Sequence, residues 1–289
     1  MTFSAPQIRC LTAPNPSALT GAGTNTYLVG SSEIAVIDPG PDLPAHLDAI
    51  LAAPGPGERI TRIIVTHAHR DHSALAAGLA ARTGAEILSF GTALDGRSPL
   101  MTRLAPGLPT SGEGLDLAFA PDRRIADTDR IEGPDWTLDV IHTPGHLGGH
   151  ICLHMGGDLF TGDHVMGWST TLVSPPDGDM GAYITSLRRL TFRHWNRFLP
   201  GHGGPVDTPA TRLEDLLAHR LRRESSVLDE LSTGPASAAD LTRRIYLDTS
   251  PGLMVAAERN VLAHLIDLAS RNLVAASPAL QADALFRRL

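Results

Sequence analysis

Thr66-His67-Ala68-His69-Arg70-Asp71-His72-Ser73 places three imidazoles and a carboxylate within six residues, a ligand density suited to a divalent metal. The apolar run Ile60 to Val65 before it reads as a buried strand, and Ala74 to Arg82 after it reads as a helix. The ligands therefore hang from a short loop clamped between two regular elements, stiff enough to hold an ion. Chance rarely puts H-x-H-x-D-H behind an apolar strand, so a metal site outweighs the duller reading of capping or surface histidines. The first expectation is a metal-dependent hydrolase.

Three further strand ends repeat the signal. Thr143-Pro144-Gly145-His146 follows Trp136 to Ile141, Thr161-Gly162-Asp163-His164 follows a strand from Asp158 to Thr161, and Gly201-His202-Gly203-Gly204 follows Arg197 to Leu199. Four loops, each anchored on a strand, thus offer ligands to one site. His67, His69 and His146 form a set of neutral imidazoles for a tetrahedral ion with one open position, while Asp71, His72 and His202 form a second set. Asp163 is the bridge, because its two oxygens suit ions about 3.5 to 4 Å apart. Two such ions, Zn2+ with Mn2+ or Fe2+ as alternatives, hold a bridging water as hydroxide near neutral pH.

Asp163 and Asp71 thereby take catalytic roles, Asp71 by orienting the attacking water. His150 is placed to steady a ligand or the Gly145 turn. Thr170, Tyr183 and Asn25 are candidate substrate contacts, with a structural role equally open for Tyr183 and Asn25. His164 stands between substrate contact and scaffold. A lone histidine at a strand end is more often a capping or surface residue, so His46, His142, His154, His194, His219 and His264 are assigned to the scaffold.

Along the chain, Ile8 to Leu11 reads as a strand, and Asn25 to Val29 with Glu33 to Ile37 as a hairpin turning at Gly30-Ser31-Ser32. Asp38-Pro39-Gly40-Pro41-Asp42 breaks the sheet, Pro44 to Ala53 is helical, and Glu86 to Ser89 is a short strand. Residues 91–122 carry four Pro and five Gly with weak periodicity, which predicts a flap near the site. Arg124 to Ala126 and Trp136 to Ile141 read as strands around the turn Glu132-Gly133-Pro134-Asp135, and Ile151 to Met155 pairs with the strand from Asp158 across Gly156-Gly157. Ala182 to Leu190 is helical. From Pro209 the pattern is helical throughout, as Pro209 to Leu231, Ala236 to Ile245 and Leu253 to Arg271, ending in Leu273 to Ala275. This gives a domain over 1–208 with two β-rich halves and helices outside, and a small winged-helix-like unit over 209–289.

A chain of 289 residues buries a sizeable core. No apolar run approaches the roughly 20 residues that span a bilayer, and Met1 to Pro16 has neither a basic region nor an apolar core of a signal peptide, so the expected location is the cytoplasm. Cys10 and Cys152 sit in apolar runs as small hydrophobes. All 24 basic residues are Arg, which excludes a lysine nucleophile or Schiff base. A net charge of −7 argues against a broad nucleic-acid surface. From residue 211 onward ten Arg balance ten acidic residues, so packing or homo-oligomer formation suits the helical tail better than DNA reading. Ser73 lacks a G-x-S-x-G elbow, and Gly21-Ala22-Gly23 precedes a strand and does not lead into a helix, which sets aside a serine nucleophile and a phosphate loop.

THAHRDHS at 66–73, TPGH at 143–146, TGD at 161–163 and GHG at 201–203 together resemble the ordered motif set of the metallo-β-lactamase superfamily. The resemblance covers roughly residues 8–208. It implies an α/β (α+β) fold, an αββα sandwich of two mixed β-sheets with flanking helices and a dinuclear site at the sheet edges. GTNTYLV at 23–29, Ser169-Thr170-Thr171, Tyr183 with Ser186 and Leu187, and AAERNVL at 256–262 are similar to the β-lactamase-like protein 2 subgroup. That subgroup carries a C-terminal winged-helix-like domain and includes an animal endoribonuclease acting on single-stranded RNA. The expected activity is hydrolysis of a small ester or thioester, of the glyoxalase II kind. Cleavage of single-stranded RNA and a non-catalytic metal-bound interaction module are the alternatives.

Overall fold

Residues 7–109 and 114–289 are described by a computed structural model. The chain begins β1 (Ile8–Thr12), β2 (Asn25–Val29), β3 (Glu33–Ile37), α1 (Pro44–Ala52), β4 (Arg59–Ile64), α2 (Arg70–Ser73) and α3 (Ala76–Thr83). It continues β5 (Glu86–Ser89), α4 (Pro99–Leu104), β6 (Arg123–Arg124), β7 (Arg130–Glu132), β8 (Thr137–His142), β9 (Ile151–Met155) and β10 (Asp158–Gly162). After α5 (Met180–Thr191) and β11 (Arg197–Pro200) come α6 (Pro209–Leu231), α7 (Ala238–Ile245), α8 (Met254–Ser270), β12 (Val274–Ser277) and β13 (Leu285–Arg288).

Period-two alternation in the strands builds the layers. One sheet runs β1-β2-β3-β4-β5-β6 and the other β11-β10-β9-β8-β7, each with antiparallel and parallel pairs. Tyr27, Val29, Ala35 and Ile37 face Leu138, Val140, Ile151, Leu153 and Phe160 of the other sheet in the central core. The intervening Leu28, Ile34, Val36 and Ile63 turn outward to Ile50 of α1 and Leu79 of α3. On the far side, Ile141, Cys152, Leu159 and Phe198 meet Tyr183 and Leu187 of α5 and Leu213 and Leu216 of α6. Helix, sheet, sheet and helix are thus stacked in that order, the αββα arrangement expected. The tail closes a fourth core around Leu241, Leu265 and Phe286, with the β12-β13 hairpin as its wing. No helix among the described residues is long and apolar enough to cross a membrane.

Three local expectations are corrected. The metal-rich stretch is not wholly a loop: Asp71 and His72 lie on α2, a single helical turn, and the helix expected from Ala74 starts afresh as α3. The first strand of the hairpin around Gly133 is β7, whereas Arg123 and Arg124 pair with β5 in the other sheet. Asp129, held by Ala126 and bonded to Val140, turns the chain between them. Residues 91–122, expected as a flap, contain α4, and Met101 and Leu108 are buried in the core of the tail. Residues 110–113 of that segment lie outside the described residues.

Candidate metal centre

The site is a convergence of imidazole nitrogens, and in four of the rings the other nitrogen is already engaged. Thr66 Oγ1 donates to Asp38 Oδ2 at 2.8 Å, so it accepts from His67 Nδ1 at 3.0 Å and leaves His67 Nε2 as a bare lone pair. His146 Nδ1 donates to the Leu172 carbonyl at 2.7 Å, His202 Nδ1 to the Gly23 carbonyl at 3.1 Å, and His72 Nδ1 to Asp38 Oδ2 at 2.9 Å. In each ring the remaining Nε2 points into the site. His67 Nε2 and His146 Nε2 each lie 3.0 Å from His69 Nδ1. Of these three nitrogens only His69 Nδ1 can carry a proton, and the same three atoms are close enough together to ligate one cation.

The carboxylates complete the arrangement. Asp163 Oδ1 lies 3.4 Å from His72 Nε2 and 3.3 Å from His202 Nε2, while its Oδ2 lies 3.7 Å from His146 Nε2 and 4.0 Å from His67 Nε2. One oxygen thus serves each group of histidines. Asp163 Oδ1 is buried with no hydrogen-bond partner, an orphan that an ion would satisfy. Asp71 Oδ2 lies 3.3 Å from His202 Nε2 and 3.5 Å from His72 Nε2, and it accepts from Thr24 Oγ1 at 3.3 Å. The three sets able to hold an ion are His67, His69 and His146; His67, His72 and Asp163; and Asp71, His72 and His202. The donor chemistry, imidazole nitrogen with carboxylate oxygen, fits divalent transition ions.

Charge follows the same division. Burial, reinforced by the neighbouring His72, His69 and His146 rings, holds His67 well below the usual imidazole pKa. Burial and His146 bring His69 down to about 3. On the other side burial pulls His202 down, but Asp163 and Asp71 outweigh it and raise the ring to about 10. His72 is likewise held above its ordinary value against burial by Asp71, Asp163 and Asp38. Burial works against ionised Asp163, yet His202 and His72 hold its carboxyl well below the carboxylate range. The first set is therefore neutral and the second demands positive charge.

The loops are stitched to each other. Gly201 N–H donates to the Gly162 carbonyl at 2.8 Å, and a Cβ at Gly201 would meet Asp163 Oδ1 and His72 Cε1 at 2.7 Å, so only glycine lets these loops close. Asn25, expected near substrate, spends its amide instead on the Pro200 and Gly203 carbonyls at 3.0 and 2.7 Å and braces the His202 loop. His150 Nε2 accepts the Asp163 N–H at 3.2 Å, while its Nδ1 lies 2.9 Å from Thr143 Oγ1; it steadies the backbone of the bridging residue.

A cavity of about 430 Å³ opens from His69, Asp71, His146, Asp163 and His202. Thr170 lines it, but Tyr183 and His164 do not. Both are fully buried behind the metal side, with the Tyr183 hydroxyl donating to the His164 carbonyl at 3.1 Å. The structure therefore does not bring these two side chains to the cavity surface with the candidate ligands. No described residue of 91–122 lines the cavity either; its outer wall comes from the tail through Tyr246, Leu253, Ala256 and Asn260.

Several contributors escaped the sequence reading. Asp38, read only as a sheet breaker, orients His72 and Thr66; an acid closing an apolar strand before Pro-Gly was the available signal. The Leu172 carbonyl left none, being backbone. Arg220 is buried on α6 and donates to the Thr171 carbonyl and, at 3.2 Å, to Asn260 Oδ1, which also accepts the Val173 N–H at 3.1 Å.

A family model described as Metallo-beta-lactamase superfamily matches residues 19–202, and one described as Beta-lactamase associated winged helix domain matches 237–280. The chain is 32% identical over 267 residues to a β-lactamase-like protein 2 homolog of Drosophila melanogaster, spanning 88% of this chain and 85% of that protein. It is 30% identical over 260 residues to an atrochrysone carboxyl ACP thioesterase of Paecilomyces divaricatus, spanning 86% and 73%. A solved β-lactamase domain protein from Burkholderia ambifaria shares the fold with a TM-score of 0.80 at 24% identity, over 98% of this chain and 91% of that one.

Proposed function

The chain belongs to the metallo-β-lactamase superfamily and is a metal-dependent hydrolase with the associated winged-helix domain, and from that premise we propose that it binds two divalent ions and hydrolyses a carboxylic thioester or ester. The observation that carries the two-ion reading is the divided carboxylate of Asp163, with Oδ1 turned to His72 and His202 and Oδ2 to His67 and His146. His67, His69 and His146 would hold one ion and Asp71, His72 and His202 the other, and Asp163 would serve both. Zn2+ suits the imidazole-rich set best, and Mn2+ or Fe2+ are the alternatives. When bound, such ions supply Lewis acidity and a water acidified to near neutral pH.

The chain's own groups do the rest. Asp71 is the more open of the two carboxylates, its side chain 28% exposed against 11% for Asp163, and it lines the cavity where it can accept a proton from entering water. Water adds to the carbonyl carbon, the carbon–sulfur or carbon–oxygen bond breaks, and the thiol or alcohol departs with a proton as the carboxylate forms. Thr170 stands in the cavity to contact the substrate. Support for a thioester comes from the named thioesterase among the relatives.

The test is a metal-loaded activity panel of matched esters, thioesters, a lactone and a labelled single-stranded RNA, run beside elemental analysis. Two ions per chain and thioester or ester turnover abolished by chelation are expected. Asp163→Ala should retain one ion or none, and two ions retained would falsify the bridge. RNA cleavage without ester or thioester turnover would replace the substrate reading with phosphodiester hydrolysis.

A further inference from the structure

The walls of the cavity carry more than its floor. Most large apolar side chains of the chain are buried, yet Leu19 and Trp168 remain 49% and 47% exposed, and both line the cavity beside the candidate ligands. Trp168 is fitted there. Gly203, next to His202 and at φ +82, lies so close under the indole that a Cβ would come within 2.5 Å of it. Tyr246, Leu253 and Ala256 line the same cavity, contributed by the winged-helix domain from the end of α7 to the start of α8. Met166 and Leu172 add further apolar surface.

Charge is missing from these walls in a specific way. Among the described residues that line the cavity there is no arginine, and their charged side chains belong to the candidate metal ligands. Three arginines stand near these walls, Arg212, Arg220 and Arg223, and the Arg223 guanidinium lies over the Tyr246 ring, 4.3 Å from its centroid. Arg212 donates to the Met166 carbonyl at 2.7 Å and to the Ser169 carbonyl at 2.5 Å, and Arg220 donates to the Thr171 carbonyl, so both guanidiniums stand behind the wall and bind backbone. A substrate portion carrying phosphate or carboxylate would be stripped of water here without a paired cation, at a cost of several kcal/mol. An apolar portion gains on the same surface.

Resting on the hydrolase reading above, we propose that this cavity is an acyl site for uncharged, apolar acyl groups, and that the winged-helix domain supplies its selective wall. The carbonyl lies at the metal centre and the acyl chain runs outward between Trp168 and Leu253. The hydrophilic thiol or alcohol leaves through the mouth, where solvent can receive it. The winged-helix domain thereby acts in substrate choice.

The experiment uses the full-length, zinc-loaded chain and S-acyl thioesters of N-acetylcysteamine from acetyl to octanoyl, with succinyl and glutaryl thioesters as charged counterparts. Each added methylene from two to six carbons should raise kcat/KM about fourfold, the ratio corresponding to about 0.8 kcal/mol per buried CH2. The ω-carboxylates should fall at least tenfold below the uncharged chain of equal length. Leu253→Glu should flatten the length profile, and Ala256→Phe should shift its maximum to shorter chains. A separate readout needs no turnover: binding of neutral N-methylalkanamides, followed by Trp168 fluorescence with Trp168→Phe as the blank. Tighter binding with chain length, lost in Leu253→Glu, supports the acyl site even where no thioester is cleaved, which would overturn the reaction alone. A flat profile in both assays, or equal use of the charged chains, overturns the acyl site and leaves the reaction standing.

Discussion

Asp38 touches no candidate ion position, yet three hydrogen bonds of the site end on it: the Thr66 N–H at 2.7 Å, the Thr66 hydroxyl at 2.8 Å and His72 Nδ1 at 2.9 Å. It holds this post at φ 50, in a left-handed conformation that few residues other than glycine adopt, and the neighbouring strand and α2 keep it there. Replacing it by Asn removes the charge that fixes the His72 tautomer and ring plane. On the proposed two-ion reading, affinity for the ion assigned to Asp71, His72 and His202 should fall about 10- to 100-fold in a chelator competition assay. An unchanged affinity would show that His72 is held by packing alone. His67, His69, Asp71, His72, His146, Asp163 and His202 were legible because imidazoles and acids stand out behind apolar strands, and the structure brings them together. Asp38 was not, because a carboxylate after a strand and before Pro-Gly looks the same whether it makes a turn or supports a ligand.

Helices α6 and α8 grip the segment that supports His146. Arg220 on α6 binds the Thr171 carbonyl, Asn260 on α8 binds the Val173 N–H, and the Leu172 carbonyl between them accepts from His146 Nδ1. Arg220→Met leaves that carbonyl and Asn260 short of a donor inside the core, which should cost about 1–3 kcal/mol of stability. On the proposed reading it should also weaken binding of the ion assigned to His67, His69 and His146 in protein that circular dichroism shows to be fully folded, whereas a purely structural arginine would leave that binding unchanged. On α8, His264 is buried with neither ring nitrogen paired, and burial together with Arg220 depresses it to about 3. Its unfolded value is about 6.5. The unfolded chain therefore binds the extra proton first, so the stability this group permits is full above about pH 6.5 and is lost as pH falls toward 3. His264→Leu should spare the protein about 2 kcal/mol of that loss at pH 5, read from urea unfolding at pH 7 and pH 5. Equal pH dependence in both proteins would place the acid-sensitive group elsewhere. The long helices and the Gly30 and Gly156 hairpins were readable from their periods and turn residues. β6 was misplaced because two residues carry no period, and Arg220 was hidden because one buried arginine on a charged amphipathic helix resembles its exposed neighbours.

The two parts of the chain are separate in family terms but share their interior. Met101 and Leu108, from the segment between β5 and β6, are buried with Leu241, Leu265 and Phe286 of the tail. In return Leu213, Leu216 and Ala263 of the tail are buried with Ile141, Leu159 and Phe198 of the second sheet. A boundary after residue 208, natural to the change from alternating to helical pattern, thus cuts through two cores. Neither part can unfold without exposing apolar surface of the other, and area buried across such a division couples the transitions. Chelator-treated full-length protein should accordingly show one calorimetric transition, with calorimetric and van't Hoff enthalpies in agreement. Leu216→Ala, which lies on the tail side, should lower that single midpoint and leave one peak, since its cavity of about 2–5 kcal/mol is felt by the whole. Two resolved transitions, with only the later or the earlier one moved by Leu216→Ala, would mean that the winged-helix domain folds as an independent unit. The wall it lends to the cavity would then be a docked surface, and substrate choice would depend on how firmly that surface is held.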